Sequence, residues 1–122
     1  MKMEMDLRKQ IIRDYLGKVV HIVVDRPIGY HHGNIVYPVN YGYIPGLIAG
    51  DGEEQDAYIL GISEPISSFD GRVIGAVLRK NDSEDKLIVA PVGTVLNRMQ
   101  IAGAVEFQER YFDTDIILNI GV

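Results

Sequence analysis

The stretch YPVNYGYIPGLIAGDGEEQDAYILG, residues 37 to 61, decides how this chain is interpreted. Two apolar and aromatic runs flank a cluster of four carboxylates, Asp51, Glu53, Glu54 and Asp56. In an extended segment residues i and i+2 point to the same face, so Asp51 and Glu53 can converge, and Asp56 can join them if the loop folds back. Three hard oxygen ligands in one pocket suit Mg²⁺ or Mn²⁺.

The same cluster is also compatible with a solvated turn between two strands, because acidic residues and glycine are common in exposed turns. Spacing alone favours the turn over the metal site. A calcium-binding EF-hand is excluded, since the sixth loop position carries no glycine and Ile62 stands where the bidentate glutamate belongs.

A second charged cluster, Asp82, Glu84, Asp85 and Lys86, falls between two apolar runs that predict a hairpin. By itself this cluster is typical of a solvated turn. Together with the first cluster it can supply further metal ligands, and Lys86 can meet a phosphate oxygen as a point charge.

Composition limits the class of protein. The 122 residues predict one domain, and 47% hydrophobic with 24% charged residues is ordinary for a globular protein. No segment approaches the roughly 20 apolar residues needed to cross a bilayer, and no cysteine is present for disulfide or thiolate chemistry. The N-terminus has no signal-peptide pattern, so we expect a cytoplasmic location. A net charge of −5 argues against a nucleic-acid partner.

Helices are predicted at both ends of the chain. Residues 6 to 16 form the first, with Asp6 as its cap and Leu7, Ile11 and Tyr15 on its core face. Asn97 and Gln100 resemble a capping box that opens a second helix through Phe112. The residues of this helix expected to face the core are Ile101, Ala104, Val105 and Tyr111.

Short strands are predicted between the helices. The β-branched and apolar runs are 18–25, 35–44, 57–62, 72–80 and 86–92. Residues 26–34 and 63–71 are predicted loops, and the tail TDIILNIGV is a final strand or a docking segment. This spacing favours a small mainly-β barrel or sheet with flanking helices.

Taken together, YPVNYGYIPG at 37–46 and DGEEQD at 51–56 resemble the soluble, magnesium-dependent inorganic pyrophosphatases. That family carries a Tyr-Pro-x-x-Tyr-Gly-Phe/Tyr-Ile-Pro-Gly run followed by Asp-Gly-Asp-Pro-x-Asp. Asp51 and Asp56 match the outer aspartates, whereas Glu53 replaces the middle aspartate and Glu54 replaces the proline.

Two further segments extend the resemblance. SEDKLIVAP places Lys86 on the family's phosphate-binding lysine, Glu84 on a metal-binding aspartate and Asp82 near an earlier one. FQERYF places Tyr111 on a phosphate-contacting tyrosine, and Phe112 replaces the lysine that usually follows it.

The resemblance implies a mainly-β (α+β) fold, a small five-stranded barrel of the oligonucleotide-binding type with flanking N- and C-terminal helices. It implies Mg²⁺-dependent hydrolysis of pyrophosphate, with Mn²⁺ as the other candidate metal, and assembly into a homo-oligomer. A role follows for each matched residue: Asp51, Asp56, Asp82 and Glu84 hold metal, Glu53 accepts the proton of water, and Tyr41, Tyr111 and Lys86 contact phosphate.

The segment after the first strand departs from the family. It is too short for the hairpin that usually carries a phosphate-binding lysine, a glutamate and an arginine. Depending on the alignment, Asp25 falls on the active-site glutamate, or Arg26 is the phosphate-binding arginine; Pro27 and Gly29 favour the first alignment. Two turn histidines, His31 and His32, are further possible phosphate contacts. Because cations are depleted, a non-catalytic or regulatory protein that binds metal and a phosphorylated ligand is the alternative function.

Overall fold

The computed structural model describes the backbone of residues 2–118 and the side chains of residues 5–118. The elements in chain order are α1 (Lys2–Tyr15), β1 (Val19–Arg26), β2 (His31–His32), β3 (Ile35–Val36), β4 (Asn40–Ile48), β5 (Glu54–Ile59), β6 (Ser68–Arg79), β7 (Lys86–Ala90), α2 (Arg98–Glu109) and β8 (Thr114–Leu118). Neither helix in this range is long and apolar enough to cross a membrane.

Five strands close into a barrel. Their order is β1-β4-β5-β7-β6, and β6 pairs back onto β1 from Val19↔Arg72 to Val23↔Ser68. All neighbouring strands are antiparallel except β5 and β7, which are parallel. Strand β8 pairs with the second half of β6, from Gly75↔Leu118 to Arg79↔Thr114. Closure of the barrel satisfies strand edges that would otherwise be unpaired. The predicted mainly-β barrel with two helices is confirmed.

Strand alternation divides the core into two clusters. Leu87 and Val89 of β7 pack in the cluster that includes Ile12 of α1, whereas Ile88 between them packs in the cluster that includes Ile101 of α2. Successive side chains of a strand point to opposite faces, which is why neighbouring residues separate in this way. Burial of each large apolar side chain contributes about 1.5–3 kcal/mol, so both helices are held by the barrel faces they cover.

The first helix differs from its prediction. It begins at Lys2 rather than Asp6, so Asp6 is not its cap, and Leu7 is 53% exposed rather than in the core. Its inward face carries Ile12 and Arg8, which are 3% and 5% exposed. Of the predicted core face, Tyr15 does pack against the core but Leu7 does not. The burial of Arg8 was not predicted because arginine is usually solvent-facing.

The second helix begins as predicted. The Asn97 side chain accepts from the Gln100 backbone N–H, and the Gln100 side chain accepts from that of Asn97, so the capping box is confirmed. Ile101 and Val105 are buried, but the helix ends at Glu109 and Tyr111 is 63% exposed. The prediction that Tyr111 faces the core is therefore wrong.

Several strand limits also differ from the prediction. The predicted loop 26–34 contributes β2 to a small hairpin with β3, and β6 already begins at Ser68 within the predicted loop 63–71. Pro45 lies inside β4, where the register with β5 shifts between Tyr43 and Ile48. Such an irregularity accommodates a residue that has no N–H to donate. The tail forms strand β8, and its last residues, 119–122, lie outside the described part.

Candidate active site

One cleft collects most of the residues that the sequence singled out. It has a volume of about 470 Å³ and lies where β1, β4, β5 and β7 meet the segment that follows α2. Its lining residues are Asp25, Arg26, His32, Ile35, Tyr41, Asp56, Arg79, Glu84, Lys86, Gln108, Tyr111 and Phe112.

Lys86 stands at the centre of the polar part of this cleft. Its Nζ lies 2.7 Å from Oδ2 of Asp56 and 3.2 Å from Oε1 of Glu84. The Tyr41 hydroxyl donates to the same Oδ2 of Asp56 at 2.8 Å. Lys86 is 2% exposed as a residue, but the side chains of Asp56 and Glu84 are 30% and 44% exposed. The cluster therefore faces solvent through its carboxylates.

The hydroxyl of Tyr41 remains protonated at any ordinary pH. Burial raises its pKa far above the usual range, and the negative charge of Asp56 raises it further. A neutral phenol that donates a hydrogen bond beside a lysine can bind a phosphate oxygen without adding negative charge.

Asp25 and Arg26 both reach the cleft, although they are adjacent on β1. A register irregularity between Val24 and Arg26 interrupts the regular alternation of the strand. Burial raises the pKa of Asp25, a backbone hydrogen bond lowers it, and the charge of Asp56 raises it, so the net direction is upward. Two carboxylates in the cleft, Asp25 and Asp56, thus lie close enough to repel each other.

Arg26 is held against tyrosine rings. Its Nη1 donates to the Tyr37 hydroxyl at 2.5 Å, and its guanidinium lies 5.5 to 5.8 Å from the ring centres of Tyr30, Tyr37 and Tyr41. Burial lowers the pKa of Arg26, but the tyrosine contacts raise it by more. Arg26 therefore supplies a permanent positive charge at the cleft wall.

A chain of side-chain hydrogen bonds, here called the relay, runs from Tyr37 to Arg79 and supports the part of the cleft wall that carries Arg26. The Tyr37 hydroxyl donates to Oε1 of Gln108 at 2.5 Å, and Nε2 of Gln108 donates to the Tyr58 hydroxyl at 2.6 Å. Tyr58 then donates to Oε2 of Glu109 at 2.6 Å, and Arg79 binds both oxygens of Glu109 at 2.9 and 2.7 Å.

Three members of this relay, Arg79, Gln108 and Glu109, were not singled out by the sequence reasoning. A charged residue at the end of the apolar strand GAVLR is a signal that could have indicated Arg79. The two helix residues gave no comparable signal, because polar residues near the end of a helix are usually solvated.

The acidic turn lies apart from the cleft. Asp51 and Glu53 do not line it, and Oδ1 of Asp51 instead accepts the backbone N–H of Glu53 at 3.0 Å. Gly52 between them has φ +87°, so this segment is a turn rather than the extended chain that the prediction assumed. The predicted extended segment is therefore wrong, and of Asp51, Glu53 and Asp56 only Asp56 is among the residues that line the cleft.

Other predicted site residues are divided between the cleft and its surroundings. Glu84, His32 and Tyr111 line the cleft, but His31 does not. Asp82 also lies outside, where its Oδ2 accepts from Arg79 at 3.2 Å. Among the side chains of residues 5–118, no three carboxylates or histidines are close enough together to hold a metal ion by themselves.

Comparison with known proteins places the chain in a family. The family model described as inorganic pyrophosphatase matches residues 1–113, and the chain belongs to that family. An inorganic pyrophosphatase of Saccharolobus solfataricus is 35% identical over 72 residues, which are 57% of this chain and 40% of that protein. One from Caulobacter vibrioides is 32% identical over 75 residues, 58% of this chain and 41% of that protein. The match thus spans about 40% of the length of these curated relatives.

Solved structures agree on the fold. The inorganic pyrophosphatase of Helicobacter pylori superposes with a TM-score of 0.67 at 17% identity, covering 86% of this chain and 87% of that chain. The enzyme of Ehrlichia chaffeensis gives a TM-score of 0.65 at 16% identity, with 82% and 85% covered. At these identities the likeness establishes the barrel architecture and not the chemistry of the cleft.

Proposed function

We propose that this chain hydrolyses inorganic pyrophosphate to two phosphates with the help of a divalent cation. Membership of the pyrophosphatase family supports the reaction class. The observation that carries the proposal is the cluster of Lys86, Asp56 and Tyr41, which presents a cation, a carboxylate and a neutral donor in one open cleft.

Different residues of the cleft bind different oxygens of the substrate. Lys86 and Arg26 neutralise oxygens of the two phosphates from different walls, and Tyr41 donates to a third oxygen. Tyr111 at the rim contacts the substrate from the solvent side, as the family resemblance implies. Each charge-assisted hydrogen bond contributes roughly 1.5–3 kcal/mol, so these groups provide much of the substrate affinity.

The donor set fits a metal ion that arrives with the substrate. Mg²⁺ is usually held by one or two carboxylates together with waters and substrate phosphates, rather than by a cage of protein ligands. Tyr41 and Lys86 both bind Oδ2 of the Asp56 carboxylate, and within the described part its Oδ1 accepts no hydrogen bond. The pKa of Asp25 is raised mainly by burial and further by the charge of Asp56, and a divalent cation relieves the repulsion between these two carboxylates. Asp56 and Asp25 would hold such an ion, and Mg²⁺ or Mn²⁺ held there would lower the pKa of water and offset phosphate charge.

Two carboxylates are candidates for the group that accepts the proton of water. Glu53 is the candidate by resemblance, and Asp25 is the candidate by position, since it lines the cleft and its pKa is raised. The metal-ligand roles of Asp51, Asp82 and Glu84 remain predictions of the resemblance. A cytoplasmic location, a single domain and a homo-oligomeric state are further parts of the proposal.

The test is phosphate release from pyrophosphate with Mg²⁺, with Mn²⁺ and with EDTA, for the wild type and Asp56→Asn. We expect metal-dependent release that falls about 100-fold in the variant, because a charge-assisted contact to the substrate complex is lost. Asp70→Asn, at a side chain that is 75% exposed and does not line the cleft, is the matched control. Unchanged turnover in Asp56→Asn contradicts the site assignment, and metal binding without hydrolysis supports the non-catalytic alternative.

A further inference from the structure

A second cavity adjoins the proposed pyrophosphate cleft. It has a volume of about 220 Å³ and shares two lining residues, Ile35 and Tyr111, with the cleft. The remaining lining residues are Asn34, Val36, Phe107 and Arg110. Because the cleft and the second cavity meet at Ile35 and Tyr111, a molecule bound in the cleft can extend past these two residues into the second cavity.

The second cavity is bounded on one side by the β2–β3 hairpin. His31 pairs with Val36 and His32 with Ile35, so the connection consists of only Gly33 and Asn34. Gly33 has φ +61°, which suits such a tight turn. This short hairpin places Asn34, Ile35 and Val36 beside the end of α2.

The side chains around the second cavity suit a planar polar group. Tyr111 is 63% exposed, and among the described residues its hydroxyl makes no hydrogen bond and its ring stacks on no other aromatic ring. The amide of Asn34, which can both donate and accept, has no hydrogen-bond partner in the same part of the chain. Arg110 binds Oε1 of Glu106 at 2.7 Å and is half exposed, so its outer donors remain accessible.

These three kinds of group together resemble what recognises a nucleobase. An exposed aromatic ring stacks on the base, an amide reads the donors and acceptors of its edge, and an arginine adds donors or a cation–π contact. Bare pyrophosphate has no planar group on which the Tyr111 ring can stack, and it has no edge with both donors and acceptors for the Asn34 amide to bind. The cleft alone also falls in the range of roughly 300–1,000 Å³ that accommodates drug-sized ligands.

We propose that the cleft accepts a diphosphate carrying a planar group, with a nucleoside diphosphate as the simplest case. The two phosphates lie between Lys86 and Arg26, and the base lies beyond Tyr111 in the second cavity. This inference rests on the proposed phosphoanhydride chemistry of the same cleft and specifies its substrate class.

The reaction would follow the same course as that of pyrophosphate. The oxygen of water forms a bond to the terminal phosphorus while the bond from that phosphorus to the bridging oxygen breaks. The bridging oxygen leaves on the nucleoside monophosphate, and the proton of water passes to a cleft carboxylate. The products are one nucleoside monophosphate and one inorganic phosphate.

The experiment compares two probes that cannot be hydrolysed at the bridge, methylenediphosphonate and α,β-methylene-ADP. Their dissociation constants are measured by calorimetry on the full chain with Mg²⁺. We expect α,β-methylene-ADP to bind at least about tenfold more tightly, as stacking of one base can supply. Val36→Glu places a carboxylate in the second cavity only, and it should remove this preference without changing the binding of methylenediphosphonate.

Val92→Glu is the matched control, since Val92 is 60% exposed, Val36 is 50% exposed, and Val92 lines neither space. Asn34→Ala provides a second variant that leaves the hairpin backbone intact and should weaken only α,β-methylene-ADP. Equal affinity for the two probes, or a preference that survives Val36→Glu, overturns the inference.

Turnover of pyrophosphate, measured on the same preparation, separates the two proposals. Hydrolysis without a preference for the nucleotide probe leaves the proposed function standing and rejects the second site. A preference abolished by Val36→Glu, in a protein that hydrolyses neither pyrophosphate nor ADP, supports the nucleotide site and rejects the proposed catalysis.

Discussion

Asp85 and Lys86 are neighbours in the chain and both are buried, yet they serve different parts of the molecule. The Asp85 carboxylate accepts two hydrogen bonds from Arg8 of α1, at 2.8 and 2.7 Å, and one from the Arg79 backbone at 3.1 Å. Lys86, one residue later, points into the cleft and binds Asp56 and Glu84. Alternation at the start of β7 explains how adjacent charges reach opposite sides.

The difference lies in the partners rather than in the charges themselves. The side chains of Arg8 and Asp85 are 5% and 6% exposed, so their pair is enclosed and ties α1 to the barrel. The carboxylates around Lys86 are accessible, so a ligand can exchange contacts with them. A buried ion pair with enclosed partners is structural, whereas one whose partners face a cleft is available for binding.

The largest expected effect is on the structural side of this comparison. Asp85→Ala leaves the Arg8 guanidinium buried without its carboxylate, which typically destabilises a fold by about 3–5 kcal/mol. We expect a loss of that size in the free energy of unfolding, measured by urea denaturation. Asp70→Ala, at an exposed aspartate, should change it by less than about 0.5 kcal/mol. Equal stabilities of these two variants would show that the Arg8–Asp85 pair does not hold α1.

A smaller loss is expected in the relay behind Arg26. Tyr58→Phe removes the hydroxyl that donates to Glu109 and accepts from Gln108. The variant should lose about 1–3 kcal/mol in the free energy of unfolding, since buried polar groups lose a partner. Tyr43→Phe is the control, because the Tyr43 hydroxyl makes no hydrogen bond within the described residues. If both variants unfold at the same urea concentration, the relay contributes nothing to stability.

The smallest effect concerns Asp25, whose pKa is raised in the folded protein by burial, despite a backbone hydrogen bond, and by Asp56. A raised carboxyl pKa means that the folded state binds the proton more tightly, so ionisation of Asp25 lowers stability as pH rises through that pKa. Asp25→Asn should therefore be slightly more stable than the wild type at pH 7. The gain should vanish as pH falls through the raised pKa toward the ordinary value near 3.8. Thermal melts across this range measure it, and a variant less stable at pH 7 contradicts the sign.

The sequence predicted the fold better than it predicted the details of the helices. β-branched runs located the barrel strands, and Asn97 with Gln100 located the start of α2, because these signals are local. The core face of α1 was predicted only in part, since burial of Arg8 depends on Asp85, which is 77 residues away. Contacts of that range leave no trace in the local spacing of residues.

The site was predicted in part for the same reason. Lys86, Asp56 and Tyr41 do meet, as the family resemblance implied. Asp51 and Glu53 do not line the cleft with them. The segment that carries these two residues was predicted to be extended, whereas it forms a turn at Gly52. The supporting residues Gln108 and Glu109 act through tyrosines distant in sequence, and no local pattern marks them.

The most direct test of the account is the rate of phosphate release from pyrophosphate by Lys86→Met, with rates of variant and wild type corrected for the folded fraction. Methionine keeps much of the length of the side chain but removes the positive charge from the cleft. We predict a fall of about 100-fold in turnover per folded molecule, alongside a smaller loss of stability than in Asp85→Ala. Turnover within twofold of the wild type would contradict the claim that Lys86 belongs to the active site.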